Sequence, residues 1–253
     1  MNLQIAPELV IAFLLVMSRL IAAFSVAPPF GGALMPLRVR IALSASIAIA
    51  VAPLYTDDVP TGGVVAIGSS VVYQVVVGVF FGYVVQLLLS APMVAGLIVD
   101  TLAGLSAAGL FDPFANVSAT AAARMNQFLA TVVLLGLEGH LLVVRGVLRS
   151  YEAAPLGGFE LRALPSILGD GVGQLLLAAV EIALPLLVAL LLTEVMLALA
   201  ARAAPRLNVM VVGFAVKSLV FMASFALTVP LLINAVATLL DRSVRWALIG
   251  SGG

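Results

Sequence analysis

Long apolar stretches alternate with short turns that contain proline, glycine or charged residues along this chain. An apolar helix of about 20 residues crosses the hydrocarbon core of a bilayer. Valine is frequent around residues 71–86, but the alternating pattern of a membrane β-barrel does not recur. The sequence therefore predicts an all-α membrane protein whose long apolar helices form kinked hairpins. The six predicted helices are about Glu8–Val26, Leu37–Leu54, Val64–Ala91, Arg124–Tyr151, Ser166–Ala203 and Val209–Leu240.

A different kind of segment lies between the third and fourth predicted helices. Residues 104–123 are rich in small side chains and contain the helix-breaking pair Asp112-Pro113. A lipid-exposed loop at membrane depth leaves backbone groups unpaired, which costs several kcal/mol for each group. The segment is therefore predicted either to lie outside the bilayer or to line a cavity or pore as a broken, re-entrant segment.

The last two predicted helices each contain a proline near the middle, Pro185 and Pro230. Each proline removes a backbone hydrogen bond, and a turn with Pro205 and Asn208 joins the helices. Residues 161–241 are thus expected to form a kinked hairpin, although prolines are common in membrane helices for other reasons. Residues 1–160 form the expected N-terminal four-helix part with its loop at about 104–123, and residues 242–253 a flexible tail. Together they make one membrane domain over residues 1–253.

Composition strengthens the membrane interpretation and excludes several kinds of site. Hydrophobic residues make up 63% of the chain and charged residues 9%, against about 25% charged in soluble domains. Twelve basic and 12 acidic residues cancel, so no charge excess favours nucleic acid. The absence of cysteine and the single histidine, His140, exclude thiolate and multi-histidine metal sites. No catalytic residue, cofactor or metal ion is predicted, and a membrane enzyme is disfavoured.

Several charged or titratable side chains fall inside the apolar stretches. A lone charge in mid-helix costs at least about 2.5–3.5 kcal/mol in lipid, so Arg19 should either line a site or bind a partner, or make structural bonds between helices. Glu138 and His140 are about 200° apart around a helix, which disfavours a proton relay. Glu181 and Glu194 are about 20 Å apart along a helix, so each is expected to meet a basic residue of another helix or subunit. The residues predicted to be buried or in subunit contact are Arg19, Asp100, Glu138, His140, Glu181, Glu194 and Lys217.

Four blocks of sequence, taken in order, resemble one protein family. Ser18–Pro53 places an arginine before a P-x-F turn and a P-x-R-V-R start to the second helix. Gly96–Ser118 carries an Asp-Pro segment, and Leu134–Gly157 carries a Gly-His helix. Arg202–Lys217 begins with R-x-x-P-x-L-N-V. Together these blocks are similar to the FliR family of flagellar biosynthetic proteins, the T component of type III secretion export gates.

The resemblance implies a non-enzymatic subunit of the flagellar type III protein export gate, in the bacterial inner membrane and the flagellar basal body. It implies a hetero-oligomer with the P and Q export-gate proteins (FliP and FliQ type) and the B component (FlhB type). Unfolded exported proteins would be the substrates, and nucleic acid is not implied. A gate raised partly out of the membrane plane would also explain why the positive-inside rule gives no consistent orientation here.

The resemblance further implies that the segment after the third helix helps to plug the closed channel. Its small residues permit close backbone packing, and Leu110, Phe111 and Phe114 would supply an apolar seal. A plain connecting turn without a gating role is the alternative. The predicted plug residues are Gly104, Ser106, Gly109, Leu110, Phe111, Asp112, Pro113, Phe114 and Asn116.

Two other functions stay open on the sequence alone. One is the same role in a virulence-type III secretion system. The other is a small-molecule secondary transporter, because broken helices and buried charges are typical of those proteins. Such transporters usually have internal symmetry, and no inverted repeat is visible in this chain.

Overall fold

The computed structural model describes residues 7–32, 35–60, 62–103, 121–156, 164–204 and 209–250. These ranges are helical apart from short turns, and no strand occurs within them, which confirms the predicted all-α fold. A 3₁₀ helix, Ala52–Asp58, extends the second α-helix. The α-helices are α1 (Pro7–Val26), α2 (Leu37–Val51), α3 (Val64–Leu89), α4 (Ala91–Ala103), α5 (Ala121–Gly136), α6 (Gly139–Ala153), α7 (Leu164–Ala203) and α8 (Val209–Gly250).

Several of these helices are long and apolar enough to cross a membrane. Helices α3 and α4 form one apolar stretch of 40 residues, and the helix is interrupted at Ser90, next to Ala91, where the third predicted helix ends. Helices α5 and α6 form a sharply bent pair that together has the length of a fifth span. In the described part of the chain, the four segments that qualify by length and composition are Pro7–Val26, Leu37–Asp58, Val64–Ala103 and Asp170–Ala203.

The prediction of one continuous helix over Arg124–Tyr151 is wrong. Leu137 and Glu138 form a turn between α5 and α6. Glu138 has φ 55° and ψ 25°, a left-handed conformation that side chains with a Cβ rarely adopt. Glycines flank this turn on both sides. The predicted pair Glu138 and His140 therefore lies at a helix break and not in the middle of a helix.

The predicted flexible tail is also wrong for most of its length. Helix α8 continues to Gly250, and Ser243 and Ala247 are fully buried. A spacing of four residues places both on one face of the helix. This face packs within the protein, so only residues 251–253 of the expected tail lie outside the described residues.

Both long C-terminal helices continue through their prolines. Helix α7 contains Pro185 and α8 contains Pro230 without a break in either helix. The turn residues Pro205 and Asn208 lie outside the described residues.

The chain forms two compact units. The first contains the residues up to Leu89, Leu134–Val172 and the residues from Leu239 onwards. The second contains Ser90–Val133 and Gly173–Thr238. The division expected from the sequence, near residue 160, stays a prediction.

Close packing of α1 against α3 organises the first unit. Gly78 and Gly82 of α3 face the backbone of α1, and a Cβ at Gly82 would lie 2.6 Å from the carbonyl oxygen of Ala23. Small residues four positions apart let two helix backbones approach closely. The side chains of Phe24 and Phe81 are fully buried in this unit. This contact fixes the two helices that carry the polar cluster described next.

Candidate functional site

A fully buried arginine lies in the first unit. The Nε–H of Arg19 donates to Oε1 of Gln74 at 2.6 Å. Nη1 donates to the carbonyl oxygen of Ser150 at 2.7 Å, and Nη2 to that of Ala154 at 2.6 Å. The guanidinium carbon also lies 4.2 Å from the ring centroid of Tyr151. Neither ion pair found in the described residues includes Arg19.

The positive charge of Arg19 is matched by the end of a helix. Ser150 lies in the last turn of α6, and Ala154 is its C-terminal cap. The last carbonyl groups of a helix, such as that of Ala154, lack intrahelical donors, and a helix C-terminus carries the negative end of the helix dipole. An arginine is a good partner for them, because its planar group donates in several directions and stacks on aromatic rings. The arrangement corresponds to the structural alternative for Arg19 and not to a residue that lines a channel.

Further hydrogen bonds extend this cluster across α1, α3 and α6. Nε2 of Gln74 donates to the carbonyl oxygen of Leu156 at 3.1 Å. The hydroxyl of Tyr151 donates to the carbonyl oxygen of Val16 at 2.8 Å. Sequence reasoning missed Gln74, Ser150 and Tyr151. Gln74 is 55 residues from Arg19 and Ser150 is 131, so the only signal was that a mid-helix arginine needs partners.

A second internal arginine follows the same principle. Arg40 is almost fully buried at the start of α2. Its Nε–H donates to the carbonyl oxygen of Phe30 at 3.2 Å, and Nη2 donates to those of Gly32 and Met35 at 3.3 Å each. These acceptors belong to the connection between α1 and α2. Arg40 therefore stabilises this connection through backbone carbonyls.

A buried carboxylate connects two helices of the second unit. Asp100 lies in α4 and is fully buried, and its Oδ2 accepts a hydrogen bond from the backbone N–H of Ala123 at 3.3 Å. Ala123 is in the first turn of α5, where N–H groups lack intrahelical partners and favour an anion. The carboxylate thus joins the two helices that flank the predicted plug segment.

The predicted plug residues themselves lie outside the described residues, which omit 104–120. Their role stays a prediction of the sequence. The residues concerned are Gly104, Ser106, Gly109, Leu110, Phe111, Asp112, Pro113, Phe114 and Asn116.

The other charged residues singled out from the sequence are not brought into one site. Glu194 of α7 pairs with Lys217 of α8, with Oε1 and Nζ 3.0 Å apart. Glu138 and Glu181 are exposed, and His140 is half-buried. Among the described residues, no group of three or more His, Cys, Asp or Glu side chains could hold a metal ion. What the structure does assemble is a set of buried polar bonds that fix helices to one another.

Comparison with known protein families identifies the group to which the sequence belongs. The family described as bacterial export proteins, family 1, matches residues 10–243. The chain belongs to this family. The match includes Arg19, Arg40, Asp100 and every other residue of the buried polar bonds described above.

The chain is also similar to flagellar biosynthetic proteins and to surface presentation of antigens proteins. The flagellar biosynthetic protein FliR of Escherichia coli K12 is 31% identical over 216 residues, which cover 85% of this chain and 82% of that protein. FliR of Pectobacterium carotovorum is 29% identical over 216 residues, with the same coverage of 85% and 82%. The surface presentation of antigens protein SpaR of Shigella flexneri is 31% identical over 188 residues, covering 70% of this chain and 72% of that protein. These similarities confirm the resemblance found in the sequence.

Proposed function

We propose that this chain is a structural, channel-forming subunit of the flagellar type III protein export gate. The gate would lie in the bacterial inner membrane within the flagellar basal body, and would be required for export of flagellar proteins and for flagellum assembly. The observation that carries the proposal is the family match over residues 10–243 together with relatives named for flagellar biosynthesis. The proposed partners are proteins of the FliP, FliQ and FlhB type, and the proposed substrates are unfolded exported proteins.

The internal polar bonds are consistent with a subunit that is assembled from rigid parts. Arg19 and Arg40 are satisfied by carbonyl groups of the same chain. Neither therefore needs a substrate or a solute to complete its bonding. The role proposed for these residues is to hold the helices in place while other subunits complete the channel.

Two measurements on the full chain test the proposal. In a strain that lacks its own subunit of this type, the chain should restore flagellar protein export and motility. The tagged chain, purified from membranes in mild detergent, should show a mass well above 26.0 kDa in native mass spectrometry. A chain that purifies alone from a strain with all export proteins would overturn the proposal.

The segment between α4 and α5 is proposed to plug the closed channel. Support comes from the hydrogen bond between Asp100 and Ala123. This bond joins the end of α4 to the start of α5, the two helices on either side of residues 104–120. Deletion of Ser106–Ala119 should leave the complex assembled and make the membrane leaky to small ions. Wild-type conductance in an assembled complex with this deletion would refute the plug.

A virulence-type III secretion gate is the second candidate, because SpaR is as similar in identity as FliR, at 31%. Complementation distinguishes the two functions. Rescue of secretion in a SpaR-deficient strain without rescue of motility in a FliR-deficient strain would favour the virulence role.

The chain is further proposed to catalyse no reaction and to move no small solute by itself. A secondary transporter would carry its substrate in vesicles that contain the purified chain alone. Solute uptake in such vesicles, in the absence of other export proteins, would contradict the proposed function.

A further inference from the structure

A regular stripe of apolar residues runs along the exposed face of α7 in the second unit. Its members recur at alternating spacings of four and three residues, the heptad pattern of helices that pack along their length. The apolar members are 50–62% exposed, so the described part of the chain leaves much of their surface uncovered. The stripe consists of Leu177, Glu181, Leu184, Val188, Leu191 and Val195.

The opposite face of α7 is buried. Ala179, Ile182, Ala183, Leu186 and Leu190 are all buried. At 100° per residue these positions lie on the far side of the helix from the stripe. The helix is therefore buried along one face and exposes the stripe on the other.

A single carboxylate interrupts the stripe. Glu181 is exposed, and it takes part in neither of the ion pairs found among the described residues. By contrast, Glu194, further along the same helix, has Lys217 at 3.0 Å. Glu181 is about 16 Å along the helix from Asp170, where the 34-residue apolar segment begins. A charge so far inside an apolar helix is costly in lipid and normally faces protein or water.

We propose that the stripe receives one apolar helix of a different subunit, and that this helix carries a lysine or arginine opposite Glu181. Charge complementarity selects this occupant. A lipid chain offers no donor to the carboxylate, and the stripe of a second copy contains no basic side chain and would bring another glutamate instead. A single polar residue in a heptad seam also fixes the register of the two helices, so Glu181 would set how the subunits align. The inference adds the chemistry of one partner to the proposed function. It rests on that function only in taking the complex to be the export gate.

Cross-linking from the stripe tests the contact directly. Because the chain has no cysteine, the Val188→Cys variant has a single thiol that accepts a photoreactive benzophenone maleimide. The full chain is labelled in native membranes that contain the other export proteins, and the cross-linked peptides are sequenced by mass spectrometry. We expect an adduct with another subunit, in an apolar helix that has a lysine or arginine within about one turn of the position opposite Glu181. The control variant Ala179→Cys, on the buried face, should give no adduct between subunits.

Charge substitutions test the role of the carboxylate. Glu181→Lys should lower the yield of the inter-subunit adduct by about tenfold or more, because it places like charges in a desolvated contact. Glu181→Gln, which keeps the shape, should lower it less. Changing the mapped basic residue of the partner to glutamate should restore the yield in the Glu181→Lys background. An unchanged pattern of limited proteolysis shows that each variant is folded. The restored yield in the double variant is a second control, because a misfolded chain could not produce it.

Four results would overturn the proposal: adducts with lipid only, adducts with a second copy, a partner segment without a basic residue, or an unchanged yield in Glu181→Lys. The proposed function fails in a different way. If the complex purifies intact but the stripe reacts only with lipid, the stripe proposal is wrong and the function stands. If no export protein co-purifies while the stripe reacts with a basic helix of another protein, the function is wrong and the stripe proposal stands.

Discussion

Replacing Arg19 with leucine should strongly destabilise the first unit. The carbonyl oxygen of Ala154 and Oε1 of Gln74 would both lose their guanidinium donor at 2.6 Å. The carbonyl oxygen of Ser150 would keep the N–H of Ala154 at 2.9 Å, so it is not counted. A buried acceptor left without its partner costs about 1–3 kcal/mol. Two such acceptors give a loss of about 2–6 kcal/mol, reduced to some extent because a buried charge is removed as well.

Two further variants separate the contribution of charge from that of geometry. Arg19→Lys keeps the charge, but one ammonium group cannot reach acceptors on both α3 and α6, so an intermediate loss is expected. The matched control is Arg245→Leu. Arg245 pairs with Asp241 at 2.7 Å, and both side chains are 66% exposed. Such exposed pairs contribute about 0–1 kcal/mol.

The measurement is reversible unfolding of the detergent-solubilised full chain, monitored by circular dichroism. The rate at which a protease cleaves the chain on the C-terminal side of Leu156 is measured as well. The free energy of unfolding should be lowered least by Arg245→Leu, more by Arg19→Lys and most by Arg19→Leu. If Arg19→Leu and Arg245→Leu are destabilised by the same amount, the assignment of the buried cluster as a structural anchor is refuted.

Three smaller perturbations test other parts of the fold by the same unfolding measurement. Gly82→Ala should lower the free energy of unfolding by about 1–3 kcal/mol, because the added Cβ would force α1 away from α3. The control Gly68→Ala, with nothing within 4 Å of the added Cβ, should raise it by about 0.5–1 kcal/mol. Equal effects of the two substitutions would contradict the close contact of α1 and α3. Glu138→Gly should stabilise by up to about 1 kcal/mol by removing the cost of the left-handed conformation, and a loss of stability would argue against that conformation. Asp100→Ala should lower the free energy of unfolding by about 0.5–2 kcal/mol and speed hydrogen exchange at the amide of Ala123. Unchanged exchange there would show that the carboxylate does not hold the start of α5.

Much of the fold could be predicted because apolar helices of membrane length are encoded locally. The bounds of α1 and α7 differ from the sequence prediction by at most two residues. Each is a long and predominantly apolar stretch, and the length of the stretch alone predicts a spanning helix.

Two predictions were wrong, one inside the fourth predicted helix and one after the sixth. Around Glu138 the hydrophobicity is continuous, but Gly136 and Gly139 flank the residue, and such glycines permit a helix to end and restart. The sixth predicted helix ended at Leu240, and a flexible tail was expected after it. The period that places Ser243 and Ala247 on one buried face was the better signal.

The buried polar cluster could not have been predicted from local sequence. An apolar helix with one arginine requires partners for that arginine, but does not say which residues supply them. Here the partners are an amide from α3 and the end of α6, brought to Arg19 by tertiary packing. The close approach that makes this possible depends on Gly78 and Gly82, whose four-residue spacing was a usable signal for helix contact.

The distribution of charge between the inside and the outside of the chain bears on how it functions. Arg19, Arg40 and Asp100 are buried and make hydrogen bonds within the chain, and these bonds need no partner subunit. Glu181 lies exposed on an otherwise apolar stripe, where lipid would be a poor neighbour. An interaction within the chain cannot specify a partner, whereas an exposed charge in an apolar seam can. The three buried residues are therefore expected to govern folding, and Glu181 is expected to govern assembly. Mutations in the two groups should therefore separate, with Arg19 variants lowering the stability of the isolated chain and Glu181 variants lowering only the yield of the complex.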